Sequence, residues 1–108
     1  MKKGLGANVR NRTRKAVYER EGYRCALCDS TRQLELHHII KRSQGGTDNP
    51  ENLICLCHYC HLMAHGEKVK PECLDDLPFT ERDMEVEIAA YMAELWACTY
   101  GEVWNPGW

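Results

Sequence analysis

The sequence predicts an α+β fold: two short antiparallel strands and a helix fastened by a cysteine clip, with one helix before this core and an amphipathic helix after it. Three observations carry the prediction. Two Cys-x-x-Cys knuckles, Cys25/Cys28 and Cys57/Cys60, bracket the middle of the chain. Between them lie two β-rich runs, LELHHII and NLICLC, separated by a loop dense in Gly, Asn, Asp and Pro. Towards the C-terminus, apolar side chains return at helical spacing.

Taken in order, ANVRNRTRKAVYERE reads as a first helix, with Val9, Ala16 and Val17 as a thin apolar stripe and arginines outside. Gly22 ends it, and YRCALCDSTRQ follows as a tight turn. In LELHHII, the strand positions are Leu34, Leu36 and Ile40. This run pairs antiparallel with NLICLC across the loop KRSQGGTDNPEN. CHYCHLMAHGE opens a helix that stops near Gly66, and KVKPECLDDLPF, with two prolines, is a connector. Thr80 followed by Asp83 forms a capping pair for the last helix. Met84, Ile88, Tyr91, Met92, Leu95 and Trp96 make its apolar face. The tail GEVWNPGW is irregular; its tryptophans are left between packing back on the domain and meeting a second subunit.

A length of 108 residues fits one domain. Its expected parts are a basic N-terminal helix at 1–21, a clipped core at 22–68 and an acidic helical extension at 69–108. No apolar run approaches the roughly 18 residues of a membrane span. MKKGLGANVRNRTRK lacks the apolar stretch of a signal peptide, so the expected location is cytoplasmic. The formal charge of −2 hides a division: residues 1–70 hold thirteen of fourteen Lys/Arg against seven acids (+6), and residues 71–108 one Arg against nine (−8). A basic front suits a polyanion, with DNA or RNA the commonest. The acidic end reads first as a solvated helix face.

Seven cysteines in a chain without an export signal read as metal ligands before disulfides. Each knuckle has the tight spacing that zinc requires, and four thiolates complete a closed tetrahedral site of structural type. The bland alternative is a set of buried apolar thiols, which two knuckles in one chain argue against. Cys55 reads as core, Cys98 as packing on the last helix, and Cys73 as spare.

The histidines supply a second constellation. His61 and His65, four apart on a helix, share one face. His37 and His38, adjacent on a strand, point to opposite faces unless local bending brings both into one cleft. One nitrogen from the strand and one from the helix can hold a divalent cation while leaving positions open for water and substrate. The division of labour is then His37 and His61 on metal and His38 as the free base. Asn52, on the returning strand, could bridge the loop and hold His38. His65 is a further ligand or a phosphate donor, and His58 an exposed bystander. The bland readings are a helix-end cation for His65 and a turn residue for Asn52.

With these residues on the page, LELHHIIKRSQGGTDNPENLICLCHYCHLMAH resembles the HNH endonucleases of the ββα-metal class, of the type fastened by four zinc-binding cysteines. The resemblance covers about residues 22–68. It implies a small ββα-metal core in which the positions of His37 (often Asp) and His61 hold the catalytic ion. The position of His38 is the general base, and that of Asn52 positions it. The activity implied is hydrolysis of DNA phosphodiester bonds, by nicking or double-strand cleavage, leaving 5′-phosphate and 3′-hydroxyl ends. This chain departs by having His rather than Asp at 37, which softens the site and admits Mn²⁺, Ni²⁺ or Zn²⁺ beside Mg²⁺. Lys41, Arg42 and the first-helix residues Arg10, Arg12, Arg14 and Lys15 would neutralise flanking DNA phosphates. The rival is a non-catalytic zinc-stapled DNA-binding module, which explains the cysteines and the basic front but gives the histidines no role. A homodimer through the C-terminal helix and tail is compatible with either.

Overall fold

A computed structural model describes residues 9–67 and 82–106. Helix α1 (Asn11–Arg20) leads to strand β1 (Leu34–His38), then β2 (Leu53–Cys57), α2 (His58–Ala64) and α3 (Met84–Tyr100). This is the expected α+β order of a two-stranded sheet and a following helix with a helix on either side. The strands pair antiparallel with Leu34 opposite Cys57 and His38 opposite Leu53.

The central piece is β2, every residue of which is buried. Its alternation divides the core. Ile54 and Leu56 join Met84, Ile88, Met92 and Trp96 of α3 on one face. Leu53 and Cys55 join Val9 and Val17 on the other. A strand covered on both sides reads as a continuous apolar run, and LICLC is one. The outer edge of β2 is closed as well. Ala26 N–H donates to Cys55 O at 2.9 Å, and the Cys55 N–H meets the Glu21 carboxylate at 3.4 Å. Glu21 is paired with Arg20, whose guanidinium also reaches the carbonyls of Pro50 and Leu53 and lies 5.4 Å from the centre of the Trp96 ring. One buried ion pair therefore ties α1, β2 and α3 together, with its hydrogen-bonding capacity satisfied.

Several elements differ from expectation for local reasons. Helix α1 begins at Asn11, its first turn closed by Arg14 N–H on Arg10 O, and Ala16 is exposed, leaving Val17 as the buried residue of the helix. Strand β1 stops at His38. Beyond it the Ile39 N–H still reaches Asn52 O, but the Ile40 N–H goes to the Asn52 side chain, so the ladder ends. Asp83 caps α3, accepting from Val86 N–H at 3.1 Å; Thr80, the other member of the expected pair, lies outside the described residues, as does Cys73. Met84, Ile88, Met92 and Trp96 are buried, with Tyr91 and Leu95 packed beside them, as their spacing predicts. Cys98, expected to pack, is exposed. The tail turns back on the chain: Trp104 Nε1–H donates to Glu51 O at 2.8 Å.

Candidate active site and metal centres

The two knuckles meet across the sheet. The four sulfurs of Cys25, Cys28, Cys57 and Cys60 lie within 4.8 Å of one another, and those of Cys28 and Cys57 are 3.6 Å apart. Tetrahedral zinc, with bonds of about 2.3 Å, sets its sulfurs about 3.8 Å apart, so the donor set fits such an ion. The electrostatics agree. A hydrogen bond from Cys60 pulls the Cys25 thiol down to about 4 against the effect of burial. Burial raises Cys28 to about 12, and the bond to Cys25 pushes Cys60 up. Four thiolates gathered this closely would repel one another, and a bound cation would offset that repulsion. Arg82, held by Glu87, directs Nη1 to Cys60 Sγ at 3.6 Å and supplies positive charge beside the anionic set. Cys55 stands apart as a core thiol, its pKa raised by burial to about 12.

The second knuckle is also a helix cap. Cys57 is the N-cap of α2, and its sulfur accepts from the Cys60 N–H at 3.4 Å. The helix that starts there projects His61 and His65 towards β1. Since Ile54 faces α2 and α3, its cross-strand partner His37 does too. The rings of His37 and His61 are 5.1 Å apart, those of His37 and His65 5.2 Å, and those of His61 and His65 4.8 Å. One nitrogen of each lies within 4.8 Å of the others. The structure thus makes a three-imidazole cluster, with His65 drawn in beside His37 and His61.

Two details suit this cluster to a cation. His37 is 6% exposed, and its Nδ1 is buried without a hydrogen-bond partner among the described residues. Burial, then the neighbouring His61 and His65, lowers its pKa to about 3, so the ring is a neutral donor. His61 Nδ1 is 2.6 Å from Glu35 Oε1, which leaves Nε2 to face His65 Nε2 at 3.1 Å. A carboxylate behind a histidine fixes the tautomer and orientation a metal ligand needs. Glu35 Oε2 also meets His58 Nδ1 at 3.3 Å. His65 titrates low through burial, then His61 and Lys41.

His38 turns the other way, on the Leu53 face, and makes no ring contact with the three-histidine cluster among the described residues. Its Nε2 is 2.7 Å from Asp48 Oδ1. Asn52 does not bond to it. The fully buried Asn52 amide accepts from the Ile40 N–H at 2.7 Å and donates to Ile40 O at 3.0 Å and Thr47 O at 2.8 Å. Asn52 thereby staples the loop closed, and the loop brings Asp48 to His38. The Gly-Gly pair permits this path. Gly45 adopts φ +87°, and a Cβ on Gly46 would fall 1.8 Å from Ile40 O.

Of the basic candidates, Arg10, Arg12, Lys15 and Lys41 are exposed, and Arg14 is partly buried. Arg42 is paired with Asp48 through Nη2 and Nε. The sequence reading missed Glu35 and Asp48. Glu35 had a signal, because strand alternation places it on the face of His37. Asp48 had none beyond its presence in a turn-rich loop.

A family model described as HNH endonuclease matches residues 25–67, a span holding both donor sets. The chain is 39% identical over 51 residues to the Type IV methyl-directed restriction enzyme EcoKMcrA of Escherichia coli (strain K12), covering 47% of this chain and 18% of that protein. It is 55% identical over 31 residues to the Probable mobile endonuclease C of Enterobacteria phage T4, covering 29% of this chain and 15% of the relative. It is 32% identical over 60 residues to Anaredoxin of Nostoc sp., covering 55% of this chain and 79% of that protein. The match thus spans less than a fifth of each of the two relatives named as nucleases. No solved structure matches the chain.

Proposed function

We propose, for a chain that belongs to the HNH endonuclease family, that it hydrolyses DNA phosphodiester bonds using a divalent cation at His37, His61 and His65, with His38 as general base. The observations that carry this reading are the convergence of the three imidazoles, one nitrogen of each within 4.8 Å of the others, and a buried His37 nitrogen, Nδ1, that has no partner among the described residues. Leaving such an atom unpaired costs about 1–3 kcal/mol, and a bound cation accounts for it. When bound, that ion supplies charge stabilisation at the phosphoryl and leaving oxygens.

The chain's own groups do the rest. His37, His61 and His65 offer neutral nitrogens, a set that suits Mn²⁺, Ni²⁺ or Zn²⁺ and serves Mg²⁺ less well. Glu35 keeps His61 in the ligating tautomer. His38, with Nε2 turned to Asp48, presents Nδ1 to take the proton from the attacking water. Arg10, Arg12, Arg14, Lys15 and Lys41 contact flanking phosphates, joined by the part of the Arg42 guanidinium that Asp48 does not engage. The four cysteines hold a structural Zn²⁺, which suits a reducing cytoplasm. Among the described residues no helix is long and apolar enough to cross a membrane.

We place the three parts at 1–21, 22–68 and 69–108 in a single domain. We assign pairing of two copies, where both DNA strands are cut, to the C-terminal helix and tail, whose Tyr100 and Val103 are exposed. Sedimentation of the full chain tests that pairing.

The function is tested with supercoiled plasmid incubated with Mn²⁺ or Mg²⁺, with and without EDTA, beside His38→Ala protein. Nicked or linear product that needs metal and His38 is expected. A retarded band with unchanged topology would mean a zinc-stapled binding module instead. Cutting by His38→Ala at the wild-type rate would remove His38 as the base.

A further inference from the structure

The residue that holds His38 is not the buried asparagine. Both ends of the Asn52 amide are engaged by Ile40 and Thr47. The imidazole instead meets a carboxylate that is itself clamped. Asp48 Oδ1 lies 2.7 Å from His38 Nε2 and accepts from Arg42 Nε at 3.1 Å, while Oδ2 takes Arg42 Nη2 at 2.5 Å. The 3₁₀ turn Arg42–Gln44 and the left-handed Gly45 carry Arg42 back over Asp48. On its other side, the Asn52 bond to Thr47 O fixes the backbone next to Asp48.

Burial acts against charge on Asp48, but hydrogen bonds from Arg42 and His38 outweigh it and hold the carboxyl below its usual range. An ionised carboxylate only accepts, so the proton of neutral His38 must sit on Nε2. The lone pair is then on Nδ1, the ring nitrogen turned away from Asp48. A carboxylate used in this way selects both the rotamer and the tautomer of a base.

We propose that Asp48 is the positioning residue for His38, fixing the ring with Nε2–H on the carboxylate and Nδ1 as the proton-accepting atom, and that Arg42 acts through Asp48 by clamping it. The consequence for cleavage rests on the nuclease reading above; the tautomer assignment does not.

The test uses the 108-residue chain, zinc-loaded, with ¹⁵N-labelled histidine. Long-range ¹H–¹⁵N spectra above the imidazole titration range assign the His38 tautomer, and plasmid nicking gives kcat and KM. In wild type, His38 is expected as the Nε2–H form. In Asp48→Ala the two tautomers mix, kcat falls by about tenfold or more, and KM stays within about twofold. Asp48→Glu, which keeps the carboxylate, recovers part of both readouts. Asp48→Asn, close to isosteric, replaces the alanine variant if that one does not fold. An Nδ1–H tautomer in wild type overturns the proposal, as does wild-type kcat in Asp48→Ala. A fall in kcat with an unchanged tautomer does so too, because it would mark a purely structural role. Absence of cleavage by wild type overturns the nuclease reading instead, and the spectra still decide Asp48.

Discussion

Replacing Asn52 by alanine separates two roles for this residue, loop staple and partner of the base. The side chain is fully buried and makes three hydrogen bonds, one from the Ile40 N–H and one each to Ile40 O and Thr47 O. Truncation strips the Ile40 N–H of its partner, and a buried group so stranded costs about 1–3 kcal/mol. The two carbonyls add less each, giving a total of roughly 3 kcal/mol. Against a typical stability of about 5–15 kcal/mol this is a large loss. With a urea slope of about 1.5 kcal/mol per molar, the unfolding midpoint should fall by about 2 M. The measurement needs a fixed excess of zinc in every sample, since metal binding to the folded state shifts the midpoint by mass action. Asn52→Asp should lose at least as much, because a carboxylate cannot donate to the two carbonyls it would face. A midpoint shift below about 0.5 M accompanied by loss of cleavage would refute the staple and make Asn52 a direct partner of His38.

Three further outcomes follow from the same geometry. Glu35→Gln weakens the hold on His61 Nδ1 and should lower divalent-cation affinity at the histidines by about 10–100-fold, read by calorimetric titration of zinc-loaded protein. Gly46→Ala puts a Cβ 1.8 Å from Ile40 O and should cost more than about 2 kcal/mol in urea unfolding, whereas Gly45→Ala, strained at φ +87° but with open space around it, should cost about 1 kcal/mol. The His37 pKa, held near 3 against an ordinary 6.5 by burial, means that the unfolded chain binds the extra proton between those values. The stability from the neutral ring is therefore complete above pH 6.5 and is lost as pH falls towards 3, so His37→Gln should flatten the acid limb of a stability–pH curve by up to one proton.

What could be read from the sequence was what short spacings determine. The knuckles announce themselves because two residues separate each cysteine pair, and the apolar face of α3 because its side chains return every three or four positions. Alternation on β1 was enough to send His37 and His38 to opposite faces. Ala16 was misjudged because α1 rests on the core through Val17 and its C-terminal Arg20–Glu21 pair, a contact that helical periodicity does not contain. Asp48 and the true partners of Asn52 were hidden for a different reason. Their bonds depend on the path of the loop between Ile40 and Asn52, set by a 3₁₀ turn, a left-handed glycine and a glycine with no room for a Cβ. Such a path is a tertiary result, and composition marks it only as turn-rich.

Cys57 belongs to three things at once: the last position of a strand, the cap of the following helix and the sulfur cluster. Any change at that sulfur therefore falls on the very segment that carries two of the three imidazoles, within eight residues of it. Cations held at the sulfurs and at the imidazoles, as proposed above, would then not be separate reservoirs. A chelator acting on the first would be expected to disturb the donors of the second as well.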